Sequence, residues 1–588
     1  MFFLGLLSLI QIWFLPGFLA LSFLRRINIY DKLIIAFPLS IILNYIFIFL
    51  LILFKLYNFY ILIIFVFLEL AILVYIYRYD LKKLKNFKHK IDVKKNFYFL
   101  DLLIFLLLVS YFILAISNIG EITFPGDPLV MWDAWAKSFA QGIIPKNTMD
   151  YPQAYPILMS LTYVLIGTIE IEFFSRSVGL AYPLMIWVIM IRIQKFLPKI
   201  EKEIKLTLFL ITLLTLNQFR HTLFIGYVDP ILVFASVSLG YLFILSFVNK
   251  FKQSEIILLC LISILPGLLK QTSLYLTFAF PLIFFFLNYN LKKNFIIKTI
   301  SIYSLFFLLI LSPWYFYKIY LFNLNEETLQ LFNLSFFSNT NEFVNNQYND
   351  LLSTIFINLK YGLNLIFGKF YLFVLFLFIL GFFKNYYSKL ITLIVLPYFF
   401  IWANVFANDA RNFAFMLPLV SFVLSCGIFL ILNILNYNFS RFLNIKINNS
   451  LLLNNFLILG FIIASVYFVI EKRSADVLIK KQYEKSLKRT NYPDVNILLY
   501  NYFDNKNIEN YHIIMYDHDF TKLPNFETSI NLSCQDNTVD YLEKNYDKKI
   551  YYLIKTDACS NKFMNYFNDL KSKKIIFKNK NHIFWKNK

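Results

Sequence analysis

Residues 118–156, NIGEITFPGDPLVMWDAWAKSFAQGIIPKNTMDYPQAYP, form a polar, carboxylate-bearing stretch held between apolar runs. Before it lies DLLIFLLLVSYFILAIS (101–117), and it leads into PILMSLTYVLIG (156–167). The same greasy character extends outward over most of the first 470 residues of this 588-residue chain. The hydrophobic fraction is 59% and mean hydropathy is +0.62. Apolar runs of about 20 residues cross a bilayer as helices, because a helix satisfies its own backbone hydrogen bonds where no water can. The fold class this predicts is an all-α polytopic membrane protein with about 14 transmembrane helices. The candidate spans are residues 1–24, 32–54, 57–78, 97–117, 173–195, 205–219, 230–248, 255–269, 272–289, 296–317, 362–384, 388–405, 412–434 and 451–470.

The formal net charge of +21 would suggest a nucleic-acid partner in a soluble protein. Here the Lys and Arg residues concentrate in short loops between spans, where the positive-inside rule accounts for them, so no nucleic acid is expected. The first run ends at Arg25 and Arg26 and lacks the charged start and small-residue cleavage site of a signal peptide. The most basic early loop, 79–96, is expected inside, as are 192–205, 250–252, 292–298 and 384–389. That places 118–156 and 321–361 outside. The run 156–167 is too short for a span and is expected as an interfacial or re-entrant helix on the outer face.

From residue 471 the apolar runs shorten to strand length, as in VNILLY, YHIIMY, KIYYLI and KKIIFK. This predicts a small α/β domain over 471–588, also outside. It holds Cys534 and Cys559, which by spacing alone are either a disulfide or two free thiols. Three regions result: N-terminal helices over 1–96, a membrane catalytic module over 97–470, and the soluble domain.

Ionisable side chains at a membrane edge are costly unless solvated, paired or functional. In the first outer loop Asp127 and Asp133 flank Trp132, with Trp135 close behind. A carboxylate there suits a general base acting on a hydroxyl, with capping or loop solvation as the plain alternative. The Trp rings suit a sugar face, and Tyr151-Pro152 and Tyr155-Pro156 read as rigid turns into the next helix. Asp229, before Pro230, is either a helix cap or a second site carboxylate. Lys270 in LPGLLKQTSLYL and Arg411 in FANDARNFAFMLP fall at span boundaries. Such cations grip a phosphate or merely snorkel. Gly267 and Thr272-Ser273 mark a helix break at Lys270. No metal-ligand spacing, phosphate-binding glycine loop or Ser-His-Asp pattern stands out.

In order along the chain, the stretch D-x-x-x-x-W-[DN]-x-W-A (Asp127 to Ala136), the YPQ turn, GYVDP, LLKQTS, SPWYFYK (312–318) and DARNFAFMLP resemble polytopic glycosyltransferases of the GT-C fold. The protein O-mannosyltransferase-like and lipid A aminoarabinose transferase-like families are the branches meant, and the resemblance covers about residues 97–435. It implies inverting sugar transfer from a polyprenyl-phosphate donor to an extracytoplasmic glycan, lipid or protein, at the outer face of a bacterial inner membrane. Asp127 would be the base, Asp133 second in rank, Asp229 the second-loop acid, Lys270 and Arg411 the phosphate ligands. Trp132, Trp135, Tyr151 and Tyr155 would meet sugar or acceptor, and loop 321–361 would cover the acceptor. Some branches hold a divalent metal between carboxylates and others none; the first loop here lacks a clean Asp-Glu pair, leaving the metal open. An O-antigen-type polymerase or ligase shares topology and substrates. A polyprenyl-saccharide flippase would place its charges in mid-span instead.

Overall fold

The structure, a computed structural model, describes residues 1–24, 27–84, 132–145, 148, 151–169, 171–218, 227–248, 253–287, 293–323, 351–405, 410–443 and 502, and strand residues 511–516, 528–532, 549–555, 573–578 and 582–587. Asp127, Cys534, Cys559, the expected spans 97–117 and 451–470 and most of loop 321–361 lie outside the described residues. The chain divides into two compact units: Met1–Glu121 with Trp135–Phe461, and Ile122–Ala134 with Ile462–Lys588. The segment Ile122–Ala134, expected in the membrane module, groups with the C-terminal part.

The first unit is helical. Its elements are α1 (Phe2–Trp13), α2 (Leu15–Ser22), α3 (Ile29–Leu53), α4 (Phe59–Leu84), a helix starting in the second unit, α5 (Ala134–Ala140), and α6 (Ala154–Ile166). Next come α7 (Phe173–Phe196), α8 (Glu201–Gln218), α9 (Asp229–Val248), α10 (Gln253–Ile262), α11 (Leu265–Leu269) and α12 (Leu274–Leu287). The last are α13 (Lys293–Phe306), α14 (Ser312–Asn323), α15 (Leu351–Phe367), α16 (Tyr371–Lys384), α17 (Tyr386–Val405) and α18 (Leu417–Leu443). Among the described residues seven helices are long and apolar enough to cross a membrane, or up to nine if each of two bent pairs is one span.

Burial ranks these helices. The span Asp229–Ser246 is 89% enclosed by protein, whereas Phe59–Arg78 and Asn294–Tyr320 are each only 17% enclosed. The helix opened by Asp229 is therefore central, and the other two form the lipid-facing periphery. Polar side chains tie the interior. Gln11 Nε2 donates to Asn44 Oδ1 at 3.2 Å, and Asn44 Nδ2 donates to the Gln11 carbonyl at 2.9 Å, joining α1 to α3. At one end of the bundle Asp31 accepts from Arg192 Nε and from the Tyr241 hydroxyl, both at 2.7 Å, which fastens α3, α7 and α9 together.

Two expected elements come out differently, and a third is narrowed. The first run is not one straight span: it breaks after Trp13, and α1 and α2 are bent by 47°, with Pro16 at the start of α2. The run 362–384 is likewise interrupted, because α15 and α16 meet at 94° across Gly368–Phe370, where Gly368 takes φ +62°. A left-handed residue of that kind is one that glycine adopts without penalty. Of the two alternatives for α6, interfacial or re-entrant, its burial goes against the interfacial one. All its residues except Val164 are buried, Ile157 and Leu158 completely, whereas an interfacial helix needs a wet polar face.

Where backbones meet closely, glycine permits it. Helices α16 and α18 pack so tightly that a Cβ at Gly381 would strike the Val423 carbonyl, and one at Gly427 the Leu377 carbonyl. Small residues at a contact are how membrane helices gain dispersion energy, since lipid supplies no hydrophobic drive between them.

The second unit contains a five-stranded mixed sheet: β1 (Tyr511–Tyr516), β2 (Thr528–Leu532), β3 (Lys549–Lys555), β4 (Lys573–Lys578) and β5 (His582–Asn587). The order is β2-β1-β3-β5-β4. β1 pairs in parallel with β2 and β3, and β5 pairs antiparallel with β3 and β4. β1, β3 and β4 coincide with three of the expected strand segments; β2 and β5 were not anticipated. Tyr551, Tyr552 and Leu553 are buried in succession, so both faces of the middle strand are covered, as in a layered α/β domain. Burial pushes the Tyr551 hydroxyl up to about 12.

Candidate functional site

The residues picked from separate motifs meet at one end of the first unit. Asp229 stands in the first turn of α9, beside Pro230. A carboxylate there complements the positive end of the helix dipole. It is 1% exposed, and its Oδ1 lies 3.7 Å from the Nζ of Lys270, which is 5% exposed. A Lys and an Asp hidden to this degree are held as a pair, because either charge alone would be costly.

The break that carries Lys270 has a local cause. Pro266 opens the short α11, and Lys270 follows it with an extended backbone, φ −155° and ψ 138°. A 3-10 turn, Gln271–Ser273, comes next. The Ser273 hydroxyl donates at 2.7 Å, with the carbonyls of Pro266 and Lys270 both within reach. The Thr277 hydroxyl accepts from the Gly267 amide at 3.2 Å. These contacts occupy backbone groups freed by the break, as an interrupted membrane helix requires.

Arg411 lies in the 3-10 segment Ala410–Met416. Its guanidinium is 5.3 Å from the centre of the Tyr227 ring, two residues before Asp229. The segment is anchored by the Tyr398 hydroxyl, which donates to the Asn412 carbonyl at 2.6 Å. GYVDP, LLKQTS and DARNFAFMLP are thus neighbours in space.

Lys318 is a further buried cation, and the sequence reading passed it over. It ends SPWYFYK, is 2% exposed, and donates from Nζ to Thr148 Oγ1 in the first loop at 3.0 Å. One turn earlier Tyr315 donates to the Gly267 carbonyl at 3.2 Å, so α14 runs beside the Lys270 break. The available signal was a lysine closing an apolar run inside a motif already noticed.

Of the first-loop residues, Asp127 lies outside the described residues and Asp133 is 4% exposed. Trp132, Trp135 and Tyr155 are buried, and Tyr151 is half-buried, with its ring 6.2 Å from that of Trp135. The loop is pinned by Glu172, which takes Lys137 at 2.8 Å and also Arg176. Among the described residues no three His, Cys, Asp or Glu side chains gather as a metal site. The charge beside Asp229 is a cation, which does not suit a divalent ion there.

No protein-family model and no curated protein matches this sequence. Solved structures do. ArnT from Cupriavidus metallidurans, in a crystal structure bound to undecaprenyl phosphate, superposes with a TM-score of 0.50 at 9% identity, covering 83% of this chain and 98% of that one. The apo form of the same protein gives 0.49 at 10% identity. At this identity the likeness is one of fold, and it is the GT-C fold that the motifs resemble.

Proposed function

We propose that this protein is a membrane glycosyltransferase that takes a sugar from a polyprenyl-phosphate donor and passes it to a hydroxyl of an extracytoplasmic glycan, lipid or protein. The observation that carries the reading is the convergence of Asp229, Lys270 and Arg411, from three distant motifs, at one end of a GT-C bundle. Cations gathered at the membrane edge suit a lipid phosphate, and that ArnT structure was solved with one bound.

In the proposed reaction Asp127 takes the proton from the acceptor hydroxyl. The acceptor oxygen attacks the anomeric carbon from the face opposite the phosphate. The bond from that carbon to the phosphate oxygen breaks, and its electron pair leaves with polyprenyl phosphate, inverting the centre. Lys270, Arg411 and Lys318 would stabilise the leaving phosphate, the electrostatic role that dominates chemistry of this kind. Asp229 would aim the Lys270 ammonium. Of the aromatic residues expected to meet sugar, half-buried Tyr151 is the one offered to it in this reading, with the buried Trp132, Trp135 and Tyr155 backing the segment, and no step is routed through a metal.

The test is transfer in vitro, with purified protein, polyprenyl-phosphate sugars and envelope extracts as acceptors. Sugar should appear on an acceptor, with free polyprenyl phosphate released in equal amount. Asp127→Asn should lower turnover by on the order of a hundredfold or more while donor binding persists. Movement of intact donor across vesicles without release of the lipid phosphate would assign a flippase instead.

A further inference from the structure

At the end of the bundle away from Lys270, a groove of about 250 Å³ opens between α10 and α13. Its walls are Ile256, Ile257, Cys260, Phe295 and Ile302, and Asn294, Lys298 and Thr299 supply its polar atoms. Asn294 and Lys298 are exposed, whereas Thr299 and Cys260 are buried. The groove sits on the periphery: the span Asn294–Tyr320 is only 17% enclosed, and Ile297 and Ile300, on either side of Lys298, are 51% and 44% exposed. That surface faces the bilayer, so the medium that meets the groove is lipid.

Its chemistry is graded along α13. The polar groups stand at residues 294, 298 and 299, and Ile302 lies one turn deeper. A lysine about five residues into a span keeps its ammonium at the headgroup level by snorkelling, with its stem along apolar surface. An amide and an ammonium above an apolar trough match one amphiphile, a phosphate over an acyl chain. Phosphatidylcholine carries its own cation and gains little from Lys298, whereas an anionic headgroup gains a counter-charge.

We infer that the α10–α13 groove is a binding site for an anionic membrane phospholipid, with the headgroup at Lys298 and Asn294 and an acyl chain along Ile256, Cys260 and Ile302. The site is separate from the cations near Asp229 and does not rest on the transferase reading. It would anchor α13 in the leaflet opposite the candidate active site.

Full-length protein in neutral detergent, titrated with phosphatidylglycerol or phosphatidylcholine and read by native mass spectrometry, tests it. Phosphatidylglycerol should be retained over phosphatidylcholine, and Lys298→Glu should cut that retention by about fivefold, the effect of one lysine at an anionic surface. Cys260→Trp, which fills the trough, should reduce it in parallel. Lys389→Glu alters charge equally at an exposed lysine outside the groove and should change nothing. Equal retention of the two lipids, or an equal loss in Lys389→Glu, overturns the site. If Cys260→Trp yields no folded protein, Asn294→Ala takes its place, and unchanged retention in both Asn294→Ala and Lys298→Glu overturns it as well.

Discussion

Lys270 has two duties to reconcile, since the cation proposed for a phosphate already faces Asp229 at 3.7 Å. Removing one member of a buried pair leaves the other charge uncompensated and costs about 3–5 kcal/mol, while removing both is often close to neutral. Asp229→Asn and Lys270→Met should therefore each lower the unfolding temperature sharply in detergent, and the double variant should recover most of it. Polyprenyl-phosphate binding should not recover, because the ammonium is still missing. Restoration of both would make the pair structural only. Arg411 is the cleaner probe, being half-buried and stacked near Tyr227. Arg411→Ala should weaken lipid-phosphate binding by about 1.5–3 kcal/mol. Arg411→Lys should restore only part of it, because a point charge lacks the planar fork. Full affinity in Arg411→Ala would return this arginine to the role of an interfacial anchor.

The elements show where sequence reading stops. Spans such as Ile29–Leu53 and Arg411–Ile434 were legible, because an apolar run long enough for a bilayer has few other fates. The break at Lys270 was legible too, since Gly267 and Thr272-Ser273 signal it locally. Whether a short apolar helix is wrapped by others depends on distant partners, and so α6 was read as interfacial or re-entrant, and the burial of all its residues but Val164 goes against the interfacial alternative alone. Glu69 is a like case: a carboxylate within α4, 3% exposed, that a loop-centred survey of charges missed. Lys318 was hidden in a motif whose aromatic residues drew notice first. Packing of α16 on α18 depends on a feature a hydropathy profile cannot show, the missing side chain at Gly427. Gly427→Leu should drive these helices apart and destabilise by about 1–3 kcal/mol, as overpacking usually does. A thermal unfolding scan of the detergent-solubilised variant measures it, and an unchanged midpoint would mean the contact is looser than the structure has it.

Across the whole molecule, helix α9 fixes the polarity. Asp229 heads it, and Tyr241 binds Asp31 near its other end. Twelve residues of helix separate the two by about 18 Å, enough to set the cation cluster and the Asp31–Arg192 pair toward opposite membrane faces. Arg192 opens the basic stretch with Lys195, Lys199, Lys202 and Lys205, and such stretches remain on the cytoplasmic side. On that rule we propose that the Asp229–Lys270–Arg411 cluster faces outward; the same loop asymmetry predicts 118–156 and 471–588 outside and 79–96 inside. Single cysteines introduced after Cys260, Cys426, Cys534 and Cys559 are changed to serine report this directly. A membrane-impermeant maleimide should label positions in 471–588 and 321–361 on intact cells, and positions in 79–96 only after lysis. The reverse pattern would put the cation cluster in the cytoplasm. There a donor would have to be reached from the inner leaflet, and the extracytoplasmic acceptor proposed for this transferase would be lost with it.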